Sequence, residues 1–347
     1  MSSQFSLNQL GWQPFFQQQL SLEEYEQCTL ARVIAHHRSD YVLRTEQDTV
    51  NVPIKSSLPA MTIGDWLLLD SEQQFVRLLD RKSLFKRKSA GSKLGEQLIV
   101  ANVDKVFIVC SLNHDFNLNR IERYLALAHE AEVEPIVALT KKDLCDDADE
   151  KQTAVQTLDP MMLVESVNAL DHSSCQSLMP LCKTGQSLSV LGSSGVGKST
   201  LVNTLLGDHS QKTADIREDD SKGRHTTTAR SMHFLPSGAV LIDTPGMREL
   251  QLTETEDGVR KTFADIDLLA EQCKFGNCQH TGEPDCAVQL AVDSGALDAR
   301  RLTNYRKLLA EQERNSAALH EKRAKDKQFG KTIKSVLASN RELKKRY

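Results

Sequence analysis

The chain has 347 residues, with 43 Lys and Arg against 47 Asp and Glu and a net charge of −4. Charged residues make up 26% and aromatic residues 5%, the composition of a folded globular protein and not of a disordered or fibrous one. No run of 18 apolar residues occurs, so no transmembrane helix is expected; the first residues lack a basic segment followed by an apolar core and do not read as a secretory leader, and a cytoplasmic protein is expected.

Residues 1–24 are rich in glutamine and are expected to be flexible. Over 25–95 short β-rich runs follow one another: Cys28–Ile34, Tyr41–Arg44, Thr49–Val52, Asp65–Leu69 and Phe75–Leu79. Five short strands with no long helix predict a small barrel. An oligonucleotide-binding (OB) barrel is a five-stranded solution of this size, and an SH3-like barrel fits the same spacing. The segment closes on a basic run, Arg81-Lys82-Ser83-Leu84-Phe85-Lys86-Arg87-Lys88.

Over 96–265 the rhythm changes. Val106–Cys110, Pro135–Leu139, Met162–Val164 and Leu188–Leu191 are continuous apolar runs, and Arg120–Glu132 has helical spacing. Buried strands alternating with helices predict an α/β domain with a mostly parallel sheet covered on both faces. Residues 266–347 carry a Cys/His cluster, then helical patterning and a basic tail. From Arg300 to Tyr347 there are 15 Lys or Arg and 5 Asp or Glu, a net +10. A solvated helix face is the plain reading of such a run. Two runs in an otherwise acidic chain point instead to a polyanionic partner such as RNA. Cysteines 28, 110, 145, 175 and 182 are scattered and read as free thiols.

Gly192-Ser193-Ser194-Gly195-Val196-Gly197-Lys198-Ser199 matches G-x-x-x-x-G-K-[ST] between a predicted strand and a predicted helix. The glycines let backbone N–H groups close around phosphates. Lys198 supplies a point charge to the β and γ phosphates, Ser199 a hydroxyl to Mg²⁺, and Thr200 extends the nucleotide contact. Asp243-Thr244-Pro245-Gly246 follows another buried strand, Ala239–Ile242. Asp243 is the candidate second carboxylate of the metal site, and Gly246 offers an N–H to the γ-phosphate. Between them runs a long polar loop, Gly207 to Arg224, ending in His225-Thr226-Thr227-Thr228. A threonine of this switch-like loop is expected to join Mg²⁺; Thr227 is favoured and Thr226 is the alternative.

Thr140-Lys141-Lys142-Asp143 closes an apolar strand and resembles the guanine motif Asn-Lys-x-Asp. The Asp143 carboxylate can accept two hydrogen bonds from guanine, a pattern adenine cannot present. The Lys141 stem can lie along the base, and the Thr140 hydroxyl stands in for the usual asparagine. Ser166-Val167-Asn168 is the candidate loop backing the base. These base-reading motifs precede the phosphate loop, the reverse of the usual order, so the domain is read as circularly permuted. Switch II then runs directly toward the C-terminal domain, where a nucleotide-driven shift could be passed on. Met247 stands where many GTPases place a water-orienting glutamine, and His225 is the candidate replacement.

Cys273-x4-Cys278-x-His280-x5-Cys286 offers three thiolates and an imidazole, the donor set of a closed, structural Zn²⁺ site.

This combination resembles the RsgA/YjeQ family of circularly permuted GTPases, over roughly residues 28–330. The features that carry it are the phosphate loop, Gly223-Arg224-His225-Thr226-Thr227-Thr228, Asp243-Thr244-Pro245-Gly246, their order, and Cys273, Cys278, His280 and Cys286. The resemblance implies an N-terminal OB domain, a permuted GTPase domain and a zinc domain. It implies binding of GTP and GDP, and action on the 30S ribosomal subunit and its 16S rRNA late in maturation; a monomer is expected. It also implies hydrolysis stimulated by the subunit and coupled to release, with no membrane partner. Thr140 and the weakly matched loop at Ser166 depart from the family pattern. A nucleotide-gated RNA-binding scaffold is the competing reading, and an ATP-dependent DNA-handling protein conflicts with Asp143.

Overall fold

The structure, a computed structural model, describes residues 5–88, 96–207, 231–243, 247, 250 and 257–316. The chain divides into two units, Met1–Lys86 with Leu98–Leu250 and Asp257–Thr262, and Arg87–Gln97 with Gln251–Glu256 and Phe263–Tyr347.

The first unit opens with two short helices, α1 (Pro14–Gln17) and α2 (Leu22–Gln27). Ser21 and Glu24 form a reciprocal capping box at the start of α2. The glutamine-rich start is therefore not a loose segment where it is described. Between the glutamines stand Phe5, Leu7, Leu10, Trp12, Phe15 and Phe16, and they pack against Trp66, Leu68 and Leu79. Leu10 and Phe16 are buried. Burial of so much apolar surface outweighs the polar composition that suggested flexibility.

Strands β1 (Thr29–His36), β2 (Asp40–Arg44), β3 (Thr49–Pro53), β4 (Trp66–Leu69) and β5 (Phe75–Leu78) form an antiparallel sheet in the order β3-β2-β1-β4-β5. Val33, Leu43, Met61, Leu67 and Leu69 fill its concave side. Among the described residues β3 and β5 do not pair, so the sheet is a half-barrel and not the closed barrel expected. Strands β6 (Leu84–Lys88) and β7 (Glu96–Ala101) make a separate ribbon.

The first two cations of the basic run, Arg81 and Lys82, which precede this ribbon, are paired within the fold. Arg81 donates to the buried Asp65 at 2.7 Å, and Lys82 reaches Asp104 at 2.8 Å and Gln13 at 3.1 Å. Arg32 is fully buried, and burial pushes its guanidinium down to about 10. It stays paired by donating to the carbonyls of Leu10, Gly64 and Asn102 and to Ser187 Oγ. One cation thus pins the N-terminal segment, the half-barrel and the strand that leads to the phosphate loop.

The central sheet contains β8 (Lys105–Ser111), β9 (Glu134–Thr140), β10 (Leu163–Ser166), β11 (Ser187–Leu191), β12 (Ser231–Phe234) and β13 (Val240–Asp243). Their order is β10-β9-β8-β11-β13-β12, parallel throughout except for β12 on β13. All seven residues of β8 are buried, as its unbroken apolar run predicts. Helices α3 (Leu118–Glu130), α4 (Ala148–Gln156), α5 (Lys198–Leu206) and α6 (Asp257–Thr262) complete this unit. Asn117 caps α3 by accepting from Arg120 N at 3.1 Å. Helix α6 lies so close to α3 that a Cβ on Gly258 would sit 2.4 Å from Ala126 O. His129 Nδ1 and Thr262 Oγ1 hydrogen-bond across the pair at 2.9 Å.

The second unit holds α7 (Ala264–Ala270), the Cys/His cluster, α8 (Ala287–Asp293) and α9 (299–316). Phe263 is buried beside Tyr305, and the Arg301 guanidinium lies 4.7 Å over its ring while chelating Asp265 with two 2.8 Å bonds. Arg301 therefore belongs to the packing of this unit and not to a free basic face.

Candidate nucleotide site and metal centre

The phosphate loop leaves β11 at Gly192 and enters α5 at Lys198. A Cβ at Gly192 would lie 2.3 Å from Val109 O on the neighbouring strand, so only glycine lets the loop turn here. Gly195 and Gly197 hold φ of +77° and +96°, in the left-handed region. An added Cβ at Gly195 would meet no atom within 4 Å, so there the left-handed backbone and not crowding favours glycine. The N-terminus of α5 adds its positive dipole end. Lys198 Nζ rests on the loop's own carbonyls, donating to Gly192 O at 2.7 Å and to Ser193 O. Ser199 and Thr200 begin the helix beside it.

The base-reading motif grips this cradle. Thr140, at the end of β9 and fully buried, donates from Oγ1 to Val196 O at 2.5 Å, with a second contact to Cys110 O at 3.3 Å. Lys141 adopts φ +61° and donates from Nζ to Gly195 O at 2.9 Å. Asp143 sits on a single 3₁₀ turn, Lys142–Leu144; its carboxylate is exposed and has no hydrogen-bond partner among the described residues. It is free to accept from a base. Val167 is tied to this turn on both sides, N–H to Leu139 O at 2.8 Å and O to Lys142 N at 3.3 Å. Ser166 lies one residue earlier and donates its hydroxyl to Gln152 at 2.7 Å, so the segment reaches the site through the Val167 backbone.

Replacing Thr140 by valine keeps the volume and removes the hydroxyl. Val196 O then loses its 2.5 Å donor. Affinity for GDP is expected to fall about three- to tenfold, read by titration of a fluorescent GDP analogue; an unchanged Kd would dismiss the tether.

Asp243 ends β13, which pairs with β11 through Ser189 and Ile242, so its backbone emerges at the same sheet end as the phosphate loop. Met247 is 3% exposed, committed to packing and not to a water. His225, Thr226, Thr227 and Gly246 lie outside the described residues. Sequence reasoning missed Tyr124 of α3, whose hydroxyl meets Ser193 Oγ at 3.0 Å. Its place on the apolar face of a helix gave no sign of that contact.

In the second unit the ligand atoms of Cys273, Cys278, His280 and Cys286 all lie within 4.8 Å of one another. Cys273 Sγ is 3.8 Å from Cys286 Sγ and 3.6 Å from His280 Nδ1, and His280 Nδ1 is 3.4 Å from Cys286 Sγ. A tetrahedron with metal–sulfur bonds of about 2.3 Å has edges of about 3.8 Å. The donors therefore already stand at coordination spacing. Glu283 holds the turn between them, accepting from Gln279 N at 2.9 Å and Thr281 N at 2.6 Å. These backbone donors pull its carboxyl well below the usual range, to about 2. His280 itself takes φ +58°, which aims its ring into the cluster.

A mostly parallel sheet that carries a lysine-bearing phosphate loop after β11, with the Thr140-Lys141-Lys142-Asp143 segment placed earlier in the chain and tied to that loop, defines a circularly permuted P-loop GTPase. The family model described as RsgA GTPase matches residues 78–253. The chain belongs to the RsgA GTPase family and is a GTP hydrolase. It is 60% identical over its whole length to the small ribosomal subunit biogenesis GTPase RsgA 2 of Vibrio parahaemolyticus, 97% of which is covered. It is 48% identical to the small ribosomal subunit biogenesis GTPase RsgA of Xylella fastidiosa, over 83% of this chain and 86% of that one. In fold it resembles YjeQ from Thermotoga maritima, with a TM-score of 0.62 at 23% identity over 82% of this chain and 98% of that one. It also resembles YloQ, a circularly permuted GTPase, with a TM-score of 0.60 at 22% identity, over 85% and 98% of the two chains. An ABC transporter model matches 177–332, a stretch that contains the phosphate loop common to both classes. Among the described residues no helix is long and apolar enough to cross a membrane.

Proposed function

We propose that this GTPase acts on the 30S ribosomal subunit in its late maturation, hydrolysing GTP to GDP and phosphate and leaving the subunit as it does so. The observation that carries the nucleotide part is the double tie of Thr140 to Val196 O and Lys141 to Gly195 O, which joins a guanine reader to a phosphate cradle. The ribosomal part is supported by the identity to relatives named small ribosomal subunit biogenesis GTPases.

In this reading Asp143 accepts from the guanine and the Val167 backbone supports the base. The residues Gly192 to Lys198 wrap the phosphates. Ser199 and Thr227 would hold Mg²⁺ with Asp243 behind it, and the ion would neutralise charge on the β and γ oxygens. Gly246 N–H meets the γ-phosphate, and His225 orients the attacking water. The water oxygen bonds to the γ phosphorus as the bond to the bridging oxygen breaks, and GDP keeps that oxygen. Cys273, Cys278, His280 and Cys286 hold a structural Zn²⁺. The half-barrel acts as an OB-type surface, and with the basic C-terminal tail it grips 16S rRNA through phosphate contacts. The chain works as a cytoplasmic monomer.

The buried Met247, at the position of the usual glutamine, favours a second reading in which the chain is a nucleotide-gated RNA-binding scaffold with little turnover. Phosphate release from GTP and from ATP, with and without 30S subunits, separates the two. GTP-specific turnover raised by the subunits is expected, with subunit binding that weakens as salt rises. Equal use of ATP would refute the guanine reader, and absence of stimulation would leave the scaffold.

A further inference from the structure

Tyr124 lies in the middle of α3, 8% exposed, and its hydroxyl is 3.0 Å from Ser193 Oγ. Ser193 is the second residue of the phosphate loop. Its carbonyl oxygen is one of the two on which Lys198 Nζ rests, the other being Gly192 O. A single residue is thus held by its side chain from α3 and holds the lysine by its backbone. The helix that presents Tyr124 is itself fixed three ways: Asn117 caps it, Arg120 pairs with Asp115 at 2.7 Å, and α6 is bonded across it through His129 and Thr262.

We infer that Tyr124 is a positioning residue for Lys198, setting the Ser193 peptide so that the ammonium meets the γ-phosphoryl as its charge develops. The inference rests on the phosphate-cradle reading of residues 192–199. A hydroxyl on a rigid helix can fix a loop peptide to within a fraction of an ångström, and transition-state contacts lose strength over such distances. Burial raises the Tyr124 phenol, which keeps it protonated at neutral pH and able to donate. The rest of the ring packs as a phenylalanine would, so Tyr124→Phe removes one hydrogen bond and little else.

The test is single-turnover hydrolysis of radiolabelled GTP, with GDP affinity and thermal midpoint measured alongside. It is run on the unmodified chain, Tyr124→Phe, Ser193→Ala and the double variant. Each single variant is expected to hydrolyse about three- to tenfold more slowly, with GDP affinity changed less than about twofold and the thermal midpoint held. The double variant is expected to be no slower than the slower single one, because both remove the same bond. A merely structural contact would lower the midpoint and both nucleotide affinities without slowing the bound step. That pattern, an unchanged rate in Tyr124→Phe, or losses that multiply in the double variant would overturn the inference while the cradle stands. Failure of the unmodified chain to bind GDP would take the cradle reading down with it.

Discussion

Lys198→Ala is expected to slow GTP turnover about 10²- to 10³-fold, the cost of removing one preorganised charge from a phosphoryl-transfer site. The structure argues that the loss does not come through the fold. Lys198 Nζ bonds to Gly192 O and Ser193 O, and both carbonyls face the cradle, where water can replace the ammonium. The loop's shape comes from elsewhere, from Gly192 against β8 and from Thr140 on Val196 O. Alanine is also the best helix former, so the start of α5 is undisturbed. Steady-state phosphate release with 30S subunits measures the effect, and far-UV circular dichroism should coincide with that of the unmodified chain. Turnover within a factor of about three of the original would remove Lys198 from the mechanism.

The second large effect concerns the Cys/His cluster. Cys278→Ser is expected to abolish metal retention and unfold the region around residues 263–316, while the first unit keeps its nucleotide. Cys278 is the informative choice because Cys286 also caps α8, its sulfur accepting from Gln289 N at 3.4 Å. In the second unit α7 and α8 have seven residues each, and Leu268 and Leu290 stand 62% exposed, so little apolar core supports these two helices. Binding free energy at a closed zinc site, about 10–16 kcal/mol, is then mostly folding free energy. Elemental analysis should fall from one zinc per chain to near zero, and amide exchange should lose protection after Phe263 only. A full complement of metal in Cys278→Ser, or unaltered exchange, would count against a structural role.

The nucleotide site was legible because its chemistry needs backbone conformations that few residues allow. Gly192, Gly195 and Gly197 each stand where the structure requires a left-handed or crowded backbone, and the strands on either side were continuous apolar runs. The Cys/His spacing was legible for a like reason, since four soft donors must close on one point. The N-terminal segment was misread because glutamine content hides spaced aromatic residues, whose partners Trp66 and Leu79 lie far along the chain. The start of the basic run hid its partners for a similar reason. The charges of Arg81 and Lys82 are visible in sequence, whereas the carboxylates that pair with them, Asp65 and Asp104, are assigned only by the fold. Barrel closure depends on whether two distant strands meet, and strand count does not decide that.

The strand order carries a consequence for how the domain is made. Strands β10, β9 and β8 form one contiguous half of the central sheet, and β11, β13 and β12 form the other, with β8–β11 as the strand pairing that joins them among the described residues. The proposed base reader, Asp143, follows β9 in the half synthesised first, and the phosphate loop follows β11 in the half synthesised second. A guanine nucleotide bound as proposed would touch both halves, and its binding free energy would add to the stability of the join between them.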